Sequence, residues 1–221
     1  MNIFLTIDDA PSKHMKKKVD FLSARKIPAV FFCRGEFMPR HEEFVIEAIQ
    51  KGFLIGNHSF THHYFSEIPL EQCFDEILKT EKLIEACYEK ANSQRPSKAF
   101  RFPFGDRGGK EKGLNVERDK VQKLQNFLKE LGFEPLDFNP KTPDKFIDAL
   151  WDWDTEDYKE NLIKNPDEYQ KKLEEFWEKS KDKTHVLLHH DFDHTHHLFE
   201  ITMNFLFEKR VQFLPIKAKK T

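Results

Sequence analysis

The stretch Leu5-Thr6-Ile7-Asp8-Asp9-Ala10-Pro11-Ser12 closes an apolar run (Ile3, Phe4, Leu5, Ile7) with two adjacent carboxylates and a proline turn. Side chains alternate along a strand. Neighbouring aspartates at a strand's C-terminal end can therefore take separate tasks, one holding a metal and the other handling a proton. A hydrolytic site at the mouth of an α/β barrel is assembled in this way. A strand end running into an Asx-type turn has the same appearance, so the pair needs companions.

Gly56-Asn57-His58-Ser59-Phe60-Thr61-His62 supplies them, again after a short apolar run, Phe53 to Ile55. His58 and His62 are four apart. On a helical turn that spacing puts both imidazoles on one face, about 5–6 Å apart at Cβ, which suits two nitrogen ligands of one divalent ion. Asp9 would be the third ligand. Two histidines and one carboxylate leave a coordination position open for water, as in a catalytic site. The bland alternative is a surface helix start with incidental histidines.

Three further segments complete the set. Phe100-Arg101-Phe102-Pro103-Phe104-Gly105-Asp106 places a cation in an aromatic strand end. Its guanidinium can lock Asp8 in place and hold its pKa down, while burial pushes it up. Trp151-Asp152-Trp153-Asp154-Thr155-Glu156-Asp157-Tyr158 follows, and then Val186-Leu187-Leu188-His189-His190-Asp191. The last reads as a buried strand ending in histidine, the residue best suited to give a proton to a leaving amine near neutral pH.

In this order, the five segments resemble the motifs of the polysaccharide deacetylases, carbohydrate esterase family 4 of the nodulation-factor deacetylase type, from about Ile3 to His190. The resemblance implies Asp8 as catalytic base, with Asp9, His58 and His62 as metal ligands. It implies Arg101 as the residue that orients the base, and the Phe104 N–H as a stabiliser of the oxyanion. Asp157 then orients the catalytic histidine, with Asp154 as the earlier acid of that motif. Ala10 stands where glycine is usual, and Tyr158 where tryptophan is common, which alters the wall of the acyl pocket. Either His189 or His190 can be the acid. The alternation Val186-x-Leu188-x-His190, with apolar residues facing inward, favours His190, because the other register would turn His185 into the barrel.

The wider pattern alternates strand and helix. Strands are expected at 2–7, 28–33, before His58, and near 98–102, 148–153, 185–190 and 211–215. Helices are expected around 14–25, 41–51, 70–91, 116–131 and 166–181. This predicts a distorted (β/α) barrel of about seven parallel strands, a single α/β domain over 1–221. Residues 134–148, around Glu134-Pro135-Leu136-Asp137-Phe138-Asn139-Pro140, read as an inserted loop of the kind that sets substrate choice. The 23 phenylalanines, including Phe127, Phe199, Phe205 and Phe207 at helical spacing, read as core and not as a sugar-stacking platform.

A net charge of −2 gives no reason to expect nucleic acid. Lys16-Lys17-Lys18 and the Lys217–Lys220 tail read as solvated faces. Cys33, Cys73 and Cys87 show no ligand spacing and read as reduced packing residues. No run approaches membrane-spanning length, and the strand beginning at Asn2 leaves no room for a leader, so a cytoplasmic enzyme is expected. The dense His189 to His197 cluster points in too many directions to hold a second ion well.

The expected activity is metal-dependent removal of an N-acetyl group from an amino sugar or polysaccharide. Zinc is the default ion, with Co2+, Fe2+ or Mn2+ as alternatives. Removal of formyl or another small acyl group, hydrolysis of a cyclic ureide, and a catalytically inactive carbohydrate-binding protein on the same scaffold are the other readings. The oligomeric state is not legible.

Overall fold

A computed structural model of the protein describes residues 1–109, 118–138 and 146–216. Its central strand is β1 (Asn2–Ala10), in which every side chain from Leu5 to Ala10 is buried. A strand covered on both faces belongs in a parallel sheet flanked by helices. β2 (Ala29–Cys33) and β3 (Leu54–Asn57) extend the sheet on one side, and β5 (Thr184–His190) and β4 (Trp153–Asp154) on the other, in the order β3-β2-β1-β5-β4. β6 (Gln212–Phe213) pairs with Asn2 and Ile3, and all the pairings are parallel.

The two faces of the sheet sort the sequence by parity. Ile3, Leu5, Ile7, Phe31 and Leu187 join the larger core beneath the helices. Val30, Phe32, Leu54 and Val186 meet inside the barrel, with Phe4 packed against them. The outer layer is α1 (Met15–Ala24), α2 (Glu42–Gln50), α3 (Leu70–Lys90), α4 (Arg118–Glu130), α5 (Glu160–Lys164), α6 (Pro166–Ser180) and α7 (His196–Glu208). α7 was foreshadowed only by its phenylalanine spacing. Phe199 and Phe205 are buried, whereas Phe207 is 38 % exposed and so departs from the expected core role.

The barrel closes through irregular staves where regular strands were expected at 98–102 and 148–153. Asn57 N–H donates to the Ala99 carbonyl at 2.9 Å, and Arg101 N–H to Asn57 at 3.1 Å. Ala149 N–H donates to Phe100 at 3.1 Å, and Asp152 N–H to Val186 at 3.2 Å. Phe100 forms a single bridge with Asn57, and β4 is two residues long. The reasons are local. Pro103 carries no N–H to continue a ladder, and the carbonyl of Ala149 is taken by the Arg101 side chain instead of a neighbouring strand. Six strands are therefore assigned among the described residues, against about seven expected.

Leu136 and Phe138, placed by sequence in an inserted loop, are buried inside the barrel with Ala149. Residues 139–145 of that loop, the first residues expected of the 116–131 helix, and the lysine tail lie outside the described residues. The lysine run needs a correction too. Lys16 makes surface pairs with Glu47 and Asp20, but the Lys18 side chain is fully buried against Asp191. Cys33, Cys73 and Cys87 are free and buried. No helix among the described residues is long and apolar enough to cross a membrane.

Candidate active site

Strand register creates the first half of the site. β1 and β5 align Ile7 with His189 and Asp8 with His190. Paired residues in adjacent parallel strands point the same way, so Asp8 and His190 share one face and Ile7 and His189 the other. His189 is fully buried and packs edge-on against Phe199 of α7, with ring centroids 5.4 Å apart. His190 stays partly exposed at the barrel mouth. Leu188, two residues back on the His190 face, is buried.

Asp157 sits between the two histidines. Its Oδ1 lies 2.6 Å from His190 Nδ1, and its Oδ2 2.9 Å from His189 Nδ1. Oδ2 also accepts the His190 backbone N–H at 2.9 Å, and the Thr155 hydroxyl donates to Oδ1 at 3.2 Å. Burial would lower the pKa of His190, but the charge and hydrogen bond of Asp157 outweigh it and raise the value to about 9. Burial likewise works to raise Asp157, and the two imidazoles reverse it and hold the carboxyl well below the usual range. Asp154 turns away to accept the Glu156 N–H at 2.8 Å.

Arg101 is wholly buried and donates from Nη1 to Asp8 Oδ1 at 2.6 Å and to Thr6 Oγ1 at 2.9 Å. Its guanidinium lies over Phe32 and Trp151, 4.4 and 5.3 Å from their ring centroids. Burial nevertheless dominates at Asp8, whose pKa is raised despite Arg101. That makes Asp8 a better proton acceptor than an exposed aspartate.

The second half of the site departs from the expected helical turn. His58 and His62 lie in a loop, with Ser59 and His62 at φ 63°. Side chains replace the helix ladder there. Asn57 Oδ1 accepts Ser59 N–H at 3.0 Å, and Ser59 Oγ accepts His62 N–H at 3.1 Å. Glu76 of α3 accepts the Phe60 and Thr61 N–H groups at 2.9 and 2.6 Å. Gly35 lets the chain after β2 approach this loop, since a Cβ there would stand 2.4 Å from the Phe60 ring and from Thr80 Oγ1.

The result is convergence. His58 Nε2 and His62 Nε2 are 3.1 Å apart, and Asp9 Oδ1 is 3.5 Å from His62 Nε2. Ligand atoms of Asp9, His58 and His62 lie within 4.8 Å of one another, and no second such group occurs among the described residues, the His189–His197 cluster included. The trio fits a divalent ion. Asp9 Oδ1 is buried with no hydrogen-bond partner. Burial also drives His58 down to about 3 and lowers His62, which keeps both in the neutral form that ligates. Burial raises Asp9 to about 6. His58 Nδ1 meets the Arg101 carbonyl at 2.8 Å, which leaves Nε2 for an ion.

An aromatic rim surrounds these groups. Phe104, with φ 57°, is 51 % exposed, so it too departs from the core role expected of the phenylalanines, and it stacks on Tyr64 with centroids 3.8 Å apart. Tyr158 is also exposed and stands edge-on to His190 at 5.2 Å. Sequence reasoning missed Tyr64, Thr6, Thr155 and Arg34, whose Nη1 is 3.6 Å from Asp9 Oδ1. Thr6 was findable, since it lies two residues before Asp8 on the same strand face.

The family described as polysaccharide deacetylase matches residues 1–124. The chain belongs to the polysaccharide deacetylase family. A chitooligosaccharide deacetylase of Rhizobium leguminosarum bv. trifolii is 34 % identical over 92 residues, 41 % of this chain and 43 % of the relative. The peptidoglycan-N-acetylmuramic acid deacetylase PdaC of Bacillus subtilis is 27 % identical over 159 residues, 72 % of this chain and 27 % of the relative. The chain thus spans less than half the length of these curated relatives. In fold it is similar to the polysaccharide deacetylase Bc1974 from Bacillus cereus, with a TM-score of 0.68 and 20 % identity over 99 % of this chain and 91 % of that one. The matched residues include the first three of the five segments, and Trp151–Tyr158 and Val186–Asp191 lie beyond them. The fold of this polysaccharide deacetylase family member brings His190 into register with Asp8, and Asp157 to His190.

Proposed function

We propose that this chain, read as one catalytic domain over 1–221, is a metal-dependent carbohydrate N-deacetylase that removes the acetyl group of an N-acetylated amino sugar in an oligosaccharide or polysaccharide. One observation carries the reading: Asp8 and His190 stand in register on adjacent strands beside the converging trio Asp9, His58 and His62. An acid, a base and a set of ion ligands at one barrel mouth suit amide hydrolysis. The relatives named for chitooligosaccharide and peptidoglycan deacetylation supply the sugar part of the proposal.

Asp9, His58 and His62 would hold the ion, with zinc favoured by the two imidazoles and one carboxylate, and Co2+, Fe2+ or Mn2+ as the alternatives to compare. Such an ion, when bound, supplies Lewis acidity to the acyl carbonyl and to water. Asp8 accepts the proton of the attacking water, with Arg101 fixing its orientation. Negative charge develops on the carbonyl oxygen, and the Phe104 N–H is the backbone group assigned to meet it. His190, held by Asp157 through Nδ1 and protonated at neutral pH, gives the Nε2 proton to the departing amine. Leu188 and Tyr158 wall the acyl pocket, and Phe104 with Tyr64 offers a flat surface to a sugar ring.

The experiment is a screen of N-acetylated and N-formylated amino sugars, free and in oligomers, with acetate and formate measured separately. Acetate from an N-acetyl oligosaccharide is expected. Formate alone would move the assignment to a deformylase, and neither product would leave the inactive carbohydrate-binding alternative.

A further inference from the structure

Lys18 and Asp191 form an ion pair whose two side chains have no exposure at all, with Nζ 2.7 Å from Oδ1. The pair reaches both halves of the catalytic constellation. Asp191 Oδ2 accepts the Ser12 N–H at 2.7 Å, and Oδ1 accepts the Ser12 hydroxyl at 2.9 Å. The Asp191 N–H donates to the Asp8 carbonyl at 2.8 Å. Lys18 Nζ donates also to the His190 carbonyl at 3.0 Å. Thus the chain just past Asp8 and Asp9 and the chain just past His190 are tied to a single buried charge pair.

A buried pair of this kind is a poor way to gain stability, because the desolvation of two ions can exceed their attraction, and apolar replacements are often as stable. Fixed geometry is what it can supply. Base and acid must act on one amide from separate strands, and a misplacement of about 1 Å can cost on the order of 100-fold in rate. We propose that Lys18 and Asp191 are positioning residues that set the placement of the Asp8–Asp9 segment against His190, without touching substrate or ion. The inference rests on the deacetylase reading of the site.

The test is the double variant Lys18→Met/Asp191→Asn, which removes both charges at once and leaves no lone buried ion. The expected result is a folded protein with unchanged metal content, KM within about threefold of the parent, and kcat on an N-acetyl oligosaccharide lower by about 30-fold or more, the range for a sub-ångström to ångström misplacement. In metal-free protein the Nδ1 proton resonance of His190, identified by its loss in His190→Gln, should shift or broaden. Ser12→Ala keeps the ion pair and removes one of its bonds to the loop, and a smaller fall in kcat at unchanged KM is expected. Parental kcat and an unmoved His190 resonance in the double variant would overturn the proposal. If the double variant does not fold, parental kcat in Ser12→Ala would overturn it. A wild-type protein inactive on every substrate, with the His190 resonance still displaced in the variant, would remove the deacetylase reading and leave the positioning claim standing.

Discussion

Asp8 and Asp9 are chemically identical neighbours with different environments. Asp8 is held by Arg101 at 2.6 Å, whereas Asp9 Oδ1 has no hydrogen-bond partner and faces His62. Asp8→Asn should therefore keep its metal and lose about 10²–10⁴ in kcat, the usual worth of a positioned base. Asp9→Asn should chiefly lose metal, read by elemental analysis after gel filtration; greater metal loss in the Asp8 variant would reverse the two roles. The histidine pair separates in a similar way. His190→Ala should lower the rate on an amide far more than on an activated ester, whose leaving group scarcely needs a proton, while His189→Ala, buried against α7, should cost stability first. A collapse of the amide-to-ester ratio in His189→Ala alone would shift the acid by one residue. The roles of Asp8 and Asp9 came from the family resemblance, whereas the preference for His190 over His189 was readable in strand alternation. The Lys18–Asp191 pair was not, since a run of three lysines in sequence carries no sign of which one turns inward.

The loop that carries His58 and His62 shows how a correct grouping can come with a wrong local structure. The i, i+4 spacing suggested a helical turn, but Asn57, Ser59 and Glu76 capture its N–H groups first. Glu76 comes from α3, sixteen residues from Phe60, so nothing within the motif announces it. Glu76→Gln should weaken three charge-assisted bonds, from the Phe60 and Thr61 N–H groups and the Thr61 hydroxyl, and loosen the imidazoles. Metal affinity, measured by competition with a chromogenic chelator, is expected to fall about 10–100-fold, as for other groups that orient ligands from behind; unchanged affinity would mean that the loop holds its shape without α3. The irregular staves have the same origin. Arg101 takes the carbonyl of Ala149, and Pro103 offers no donor, so two segments with strand-like composition close the barrel without forming ladders. Periodicity reports burial, not where each hydrogen bond ends.

For the whole molecule, the alternation of strands and helices specified the α/β barrel, and the matches to known deacetylases agree with it. The closing staves and the aromatic rim depended on contacts between distant segments, as with Tyr64 against Phe104. Global stability should register the His190–Asp157 pair. The folded pKa of His190 is about 9, above its ordinary 6.5, so its contribution is complete below pH 6.5 and fades as pH rises through 9. In metal-free protein, the melting-temperature gap between wild type and His190→Ala should be widest near pH 6 and narrow toward pH 9.5; a gap that widened on the alkaline side would contradict the pairing. Metal should also act on the fold. With free zinc at about 100 times its Kd, the folded state gains roughly 2.7 kcal/mol, or several degrees in Tm for a chain of this size. The decisive measurement is acetate release from an N-acetylated oligosaccharide by one preparation assayed as isolated, after removal of metal by a chelator, and after zinc is returned. Release that disappears with the metal and comes back with it is the predicted result. Release that continues undiminished in metal-free protein would contradict the assignment of Asp9, His58 and His62 and the reaction built on them.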